Sequence, residues 1–278
     1  MNSSRIRNPG PLRAHALVLL LTAGVMPAVG WAQQSLEDQA LEQQGLTRVT
    51  GGWDVTLGAG LAEAPEYPGA NTDHARLAPL FSLDYDDRLF AGPLGVGVAA
   101  IRWDGFRAGP VLGFERGRSQ SDDSRLAGLG DISASVTAGL FAGYARGALG
   151  IYATARQAVT STGNGLSGLL QLDVRHSFVT ARTFIAAGPD LEFGNDGFQR
   201  TWFGISAAQS ASSGLPIYTP SAGIDRIGFH ARLTYRASPH WLLRAFARIS
   251  ALTGTAAQSP IVERRAQVVM GAGVAYHF

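Results

Sequence analysis

The stretch Gln267-Val268-Val269-Met270-Gly271-Ala272-Gly273-Val274-Ala275-Tyr276-His277-Phe278 alternates two kinds of residue. Val268, Met270, Ala272, Val274, Tyr276 and Phe278 form one parity, apolar and ending in aromatics. Gln267, Val269, Gly271, Gly273, Ala275 and His277 form the other, small or polar. Successive side chains of a β-strand point to opposite faces, so one face here meets an apolar medium and the other a crowded or wet one.

The same period recurs upstream. Ile227, Phe229, Ala231, Leu233 and Tyr235 oppose Arg226, Gly228, His230, Arg232, Thr234 and Arg236, and Trp241, Leu243, Ala245, Ala247 and Ile249 oppose Leu242, Arg244, Phe246, Arg248 and Ser250. Trp53 to Leu61, Leu77 to Tyr85, Phe106 to Glu115, Leu170 to Arg175 and Arg182 to Phe193 alternate in the same way. Less distinct runs over 88–103, 131–144, 146–158 and 200–207 complete the set. The expected fold is all-β, an antiparallel transmembrane β-barrel of about 12 strands, the even count that single-chain outer-membrane barrels have. Trp53, Tyr85, Phe106, Tyr235, Trp241 and Phe278 stand at strand ends, where such barrels carry aromatic girdles. A soluble sandwich also alternates, but it turns its charges outward, whereas here charges mix with glycine on the parity opposite the apolar one. One loop fits badly. With the N-terminus in the periplasm, the long polar loop Gly117 to Gly130 falls on the periplasmic side, where turns are normally short.

The beginning of the chain reads as a secretory signal peptide: Arg5, Arg7 and Arg13, then the apolar run Ala14 to Val29, then Gly30-Trp31-Ala32. Cleavage is expected after Ala32, which divides the chain into a signal peptide (1–32), a polar periplasmic arm (33–50) and a barrel (51–278). The mature chain then has 246 residues (278 minus 32), with 20 arginines (23 minus Arg5, Arg7 and Arg13) against 21 acidic residues, a net charge of −1. The sequence pI of 9.2 belongs partly to the leader and does not point to nucleic acid. There is no cysteine, and a closed sheet needs no disulfide. Beyond the leader no apolar run approaches the length of a spanning helix, so a mature chain in a membrane must cross it as a barrel.

The candidate lumen-lining residues are Arg107, Arg175, Arg182, Arg226, Arg232, Arg236, Arg244 and Arg248, with Asp54, Asp84, Glu115, Asp173, Asp190 and Glu192 on the same side. They admit two readings, an anion-selective pore or a lumen filled by cross-paired charges. Pairing is the favoured one, because small barrels are filled by side chains and only about sixteen strands leave a wide channel. Catalytic, cofactor and metal sites are not expected. His176 and Ser177 are adjacent on a strand and point to opposite faces, so they cannot form a nucleophile and base pair. His230 and His277 share the inward parity but have no serine placed beside them. The histidines are dispersed, which removes zinc-ligand spacing, Asp122-Asp123 reads as a solvated pair, and the period-two glycines form no nucleotide-binding fingerprint.

Trp53-Asp54 with Gly58-Ala59-Gly60, the segment Pro65-Glu66-Tyr67-Pro68-Gly69, Pro79-Leu80-Phe81, Leu89-Phe90-Ala91-Gly92 with Gly95-Val96-Gly97, and Leu129-Gly130-Asp131 resemble the MipA/OmpV family. The resemblance implies an outer-membrane barrel in contact with outer-membrane lipid and lipopolysaccharide. One member type is a scaffold that binds a murein lytic transglycosylase and a bifunctional penicillin-binding protein; others are linked to osmotic response, adhesion or antibiotic sensing. The family has no catalytic residues to carry over. The expectation is a non-enzymatic scaffold for peptidoglycan-remodelling machinery, with the arm 33–50, the periplasmic turns and the loop Gly117 to Gly130 as contact surfaces. The alternative is a narrow porin-like channel or an osmotic-response protein.

Overall fold

The computed structural model describes residues 52–92, 95–178 and 182–278. The expected signal peptide, its cleavage site and the arm 33–50 lie outside the described residues. The strands are β1 (Trp53–Pro65), β2 (Asp73–Tyr85), β3 (Leu89–Gly92), β4 (Gly95–Val98), β5 (Ile101–Trp103), β6 (Phe106–Glu115) and β7 (Ser135–Arg146). They continue as β8 (Leu149–Ala158), β9 (Leu166–Ser177), β10 (Thr183–Gly194), β11 (Gly223–Arg236), β12 (Trp241–Leu252) and β13 (Ala266–His277). Every pairing is antiparallel, and the sheet closes on itself. β13 pairs with β1 from Thr56↔His277 to Glu63↔Met270, and β4 pairs with β6 at Val96↔Leu112. β5 pairs with the same neighbour at Ile101↔Ala108, so β4 and β5 are one stave broken at Ala99-Ala100, and the ring has twelve staves.

The expected count is thus right, but two of its strands are not. The run 88–103 is two staves, β3 and β4/β5, because β3 and β4 pair antiparallel from Leu89↔Val98 to Gly92↔Gly95. The run 200–207 is not a strand. Helix α1 (Asp196–Phe203) begins at Asn195, whose side chain accepts from the Phe198 amide, and α2 (Ala207–Ser213) begins at a Ser206–Gln209 capping box. Phe198 and Trp202, four apart, lie on one face of α1 and pack into the cap described below.

The extra stave removes the conflict over Gly117 to Gly130. The long connections 66–72, 116–134, 159–165, 195–222 and 253–265 gather at one end, and the short ones 86–88, 104–105, 147–148, 178–182 and 237–240 at the other. Gly52 and Phe278 both lie at the short-turn end, where Gly52 accepts from the Asp86 amide and Phe278 donates to Val55. Outer-membrane barrels put short turns in the periplasm and long loops outside, so Gly117 to Gly130 is extracellular and cannot be a periplasmic contact surface. Asp104-Gly105, with φ of 38° and 85°, has the type I′ backbone that suits a two-residue hairpin. A chain without cysteine allows a clean test. Ala127→Cys, on the exposed loop, is expected to react with a membrane-impermeant maleimide in intact cells, and Ala237→Cys only after permeabilisation; the reverse pattern would invert the topology.

The outward parity is apolar and exposed, including Leu57, Leu61, Leu77, Leu112, Leu140, Leu172, Phe229, Ile249 and Met270. Trp53 stacks near Tyr85, Trp103 near Phe106, and Tyr276 lies between Trp241 and Phe278, so an aromatic belt rings the short-turn end. A one-residue slip of β11 would turn Arg226 and Arg232 into lipid, at about 2–4 kcal/mol for each near the midplane, which fixes the register.

Candidate functional site

The lumen is packed. Inward residues from staves around the whole ring are almost inaccessible to water, among them Thr56, Ser82, Val111, Thr137, Tyr152, Gln171, Asp190, Arg232, Arg248 and Gln267. Part of the filling is apolar. Phe90 meets Phe141 edge-on at 5.0 Å over Tyr152 and Val111, and Phe246 packs with Ala62, Ala78 and Val269. Glycine makes room for these rings: a Cβ on Gly97 would sit 2.2 Å from the Phe90 ring, and one on Gly271 2.6 Å from the Phe246 ring.

The rest is charge. Arg232 donates to Asp173 Oδ1 at 2.5 Å, and His230 bridges two aspartates, its Nε2 lying 3.0 Å from Asp173 and its Nδ1 3.2 Å from Asp190. Arg248 donates through Nε to Asp190 at 3.0 Å and through Nη1 to Glu192 at 2.5 Å, and its Nη2 also bonds Asp190. Arg226 donates to the other Glu192 oxygen at 3.1 Å. One chain of contacts therefore runs Arg232, Asp173, His230, Asp190, Arg248, Glu192, Arg226 across β9 to β12. Such charges are stable in a low dielectric only when paired and hydrogen-bonded on both sides.

The remaining candidates separate from this chain. Arg107 donates to Asp87 at 2.8 Å, Asp84 accepts from the Asp87 amide at 3.0 Å, and Asp54 lies 3.4 Å from His277, all toward the turn end. Arg175 lies over Gly150, whose missing Cβ leaves the space. Arg244 is half-buried, Glu115 lines the cavity described below, and Arg182 and Arg236 are exposed at the turn rim. Sequence parity groups His230 and Gln171 with the network but does not mark them as its centre; Gln171 lies 2.8 Å from His230 and is wholly buried.

Above the network the long loops fold into a cap with its own apolar core of Tyr67, Leu126, Leu129, Phe203, Ile205, Leu252 and Ile261. Tyr67 is fully buried; its hydroxyl donates to the Ile261 carbonyl at 3.0 Å, and burial raises its pKa. Gly69, at φ 103°, accepts from the Glu263 and Arg264 amides, a backbone conformation suited to glycine. Asp131 accepts from Ser119 and the Gln120 amide. The Glu-Tyr-Pro-Gly and Leu-Gly-Asp segments are thus the frame of this cap. Asp122 and Asp123 belong to it too, accepting from the Ser119 and Arg125 amides, so they are loop-framing residues rather than a solvated pair.

Between cap and network lies a cavity of about 150 Å³ lined by Tyr67, Phe114, Arg116, Arg118, Thr137, Arg156, Phe193, Phe198, Trp202, Asp225 and Arg226, among others. Arg118 is 4% exposed, and its Nη1 donates to the Trp202 carbonyl at 3.1 Å. Burial lowers its pKa to about 10, which leaves it cationic at neutral pH. Sequence reasoning missed Arg118 because its position depends on how distant loops pack.

Twelve antiparallel staves with a lipid-facing apolar wall, an aromatic belt and one-sided long loops define an outer-membrane β-barrel. The chain matches the family described as MltA-interacting protein MipA over residues 57–278, and it belongs to that family. No curated protein matches it. Similar solved structures include the translocator domain of the autotransporter NalP from Neisseria meningitidis, at 11% identity and a TM-score of 0.46 over 89% of this chain and 97% of that one. Another is the KdgM porin, at 11% identity and a TM-score of 0.40 over 81% of this chain and 99% of that one.

Proposed function

We propose that the protein is a non-enzymatic, non-conducting outer-membrane scaffold that holds a murein lytic transglycosylase and a penicillin-binding protein at its periplasmic face. The observation that carries this reading is the packed lumen beneath a folded cap, which weighs against the porin-like alternative and leaves the rims as working surfaces. Family membership supplies the partner class, since the family is described by interaction with MltA. Of the two rims, the periplasmic one faces the murein, and it presents exposed charges of both signs, including Arg88, Asp104, Arg146, Arg182 and Arg236. His176 and Ser177 are not placed as a nucleophile and base pair. They stand on opposite faces of β9, and the His176 ring is engaged edge-on with Phe178 at 5.0 Å.

The test is affinity capture from detergent-solubilised envelopes with the full chain as bait. Recovery of a murein hydrolase together with a murein synthase is expected. Recovery of neither would overturn the scaffold reading.

A further inference from the structure

The short β3–β4 hairpin leaves a notch in the barrel wall. β2 pairs with β3 only over Leu83–Tyr85, and β4 pairs with β6 only at Val96 and Gly97. Over Asp73–Ser82, β2 therefore has no strand on that side among the described residues, although its other edge is paired with β1 throughout. On the far side β6 runs past its last β4 partner, Leu112, by only three residues, so the opening lies where the free edge of β2 meets the upper end of β6, with β2 and β6 about 14 Å apart at the usual spacing of about 4.8 Å per strand. Among the described residues the notch lies at the long-loop end of the wall, bounded by Asp73–Ser82 of β2 and by Phe114 and Glu115 of β6.

The cavity under the cap reaches this notch. Phe114 is on the lipid-facing parity of β6 and 51% exposed, yet it lines the cavity with Tyr67 and Pro68, which follow β1, and with Arg116, which follows β6. The deeper wall is set up for an anion. Arg118 is 4% exposed and, among the described residues, has no carboxylate within ion-pairing distance; its Nε has no hydrogen-bond partner. Trp202 Nε1, Arg226 Nε and Thr137 Oγ1 are also buried without partners. Meanwhile Glu192 is taken by Arg226 and Arg248, and Asp225 accepts from Gln199 at 3.0 Å. Asp122 acts on Arg118 from beyond ion-pairing distance, so an anion at this point would supply the direct partner that a buried cation needs. Phe193, Phe198, Trp202 and Phe203 form an aromatic part of the lining that suits an apolar body, beside the polar Glu115, Arg156 and Ser167.

We propose that this cavity binds an alkyl-chain anion taken sideways from the membrane, with its charged head at Arg118 and its chain passing Phe114 through the notch between β2 and β6. The notch selects a membrane-borne ligand over a soluble one, and the unpaired donors select an anion over an alcohol or a cation.

The test uses the mature full chain in phosphatidylcholine nanodiscs with Trp53→Phe, Trp103→Phe and Trp241→Phe, which leaves Trp202 as the reporter. 11-Bromoundecanoate is expected to quench it saturably. The neutral 11-bromoundecanol and the short 3-bromopropionate are each expected to bind at least ten-fold more weakly. Arg118→Gln is expected to weaken 11-bromoundecanoate at least ten-fold, and Arg118→Lys to recover part of the loss. Thr137→Leu, which fills the cavity and removes an unpartnered hydroxyl, is expected to block binding while the heat-modifiable mobility of the folded barrel is retained. Equal quenching by acid and alcohol, or an Arg118→Gln titration matching that of the parent, would overturn the site. Equal binding of 3-bromopropionate would overturn the sideways, membrane-borne origin of the ligand.

Discussion

Arg248→Ala is expected to destabilise the barrel by about 3–5 kcal/mol, the range for breaking a buried ion pair by removing one partner. Arg248 is 4% exposed and is the only described residue bonded to both Asp190 and Glu192. Its removal leaves Asp190 with His230 and Glu192 with Arg226, each carboxylate buried with half its compensation. Arg236→Ala removes an equal charge from the exposed rim and should change stability by no more than about 0.5 kcal/mol. Removing Asp190 and Arg248 together should cost less than the sum of the single changes, because the second deletion no longer strands a charge. Urea unfolding followed by heat-modifiable gel mobility measures the parent and all four variants, the Asp190 single change included. Equal midpoints for the Arg248 and Arg236 variants would mean that the network is solvated and not structural.

The wall of the barrel was legible in the sequence because a strand that separates lipid from a packed interior writes its two environments at period two. The closing strand, β11 and β12 were readable residue by residue for that reason. β3 and β4 were not, since glycines on both parities erase the alternation and each strand has only four residues. The 200–207 segment was misread because Trp202 and Phe203 suit a strand as well as a helix, and the deciding signals, the Asn195 cap and the spacing of Phe198 and Trp202, lie upstream. The arginines and carboxylates of the lumen could be assigned to one face, but parity does not say which will meet. Asp54 and Glu192 share a face, yet one ends at the turn rim and the other in the middle of the ion-pair chain. Arg118 and the cap lay beyond reach, because loop packing depends on contacts between segments as far apart as Tyr67 and Ile261.

Conductance is the second large effect, and it is all or none. A ring of twelve staves could enclose a narrow water path, and an arginine-lined path would favour anions. Here the inward side chains of that path touch one another: His230 and Gln171 are wholly inaccessible, Tyr152 and Val111 nearly so, and the outer mouth is covered by the cap. An ion crossing would have to displace Arg248 from two carboxylates and part the aromatic contacts around Phe90. Separating a buried ion pair costs several kcal/mol, so the closed arrangement of the lumen is strongly favoured over an open path.

The most direct measurement is therefore single-channel recording of the purified full chain in planar bilayers. A silent membrane, with folded protein shown by heat-modifiable mobility, is the predicted result. Stable, anion-selective openings would contradict the packed lumen, and the scaffold reading would lose the observation that carries it.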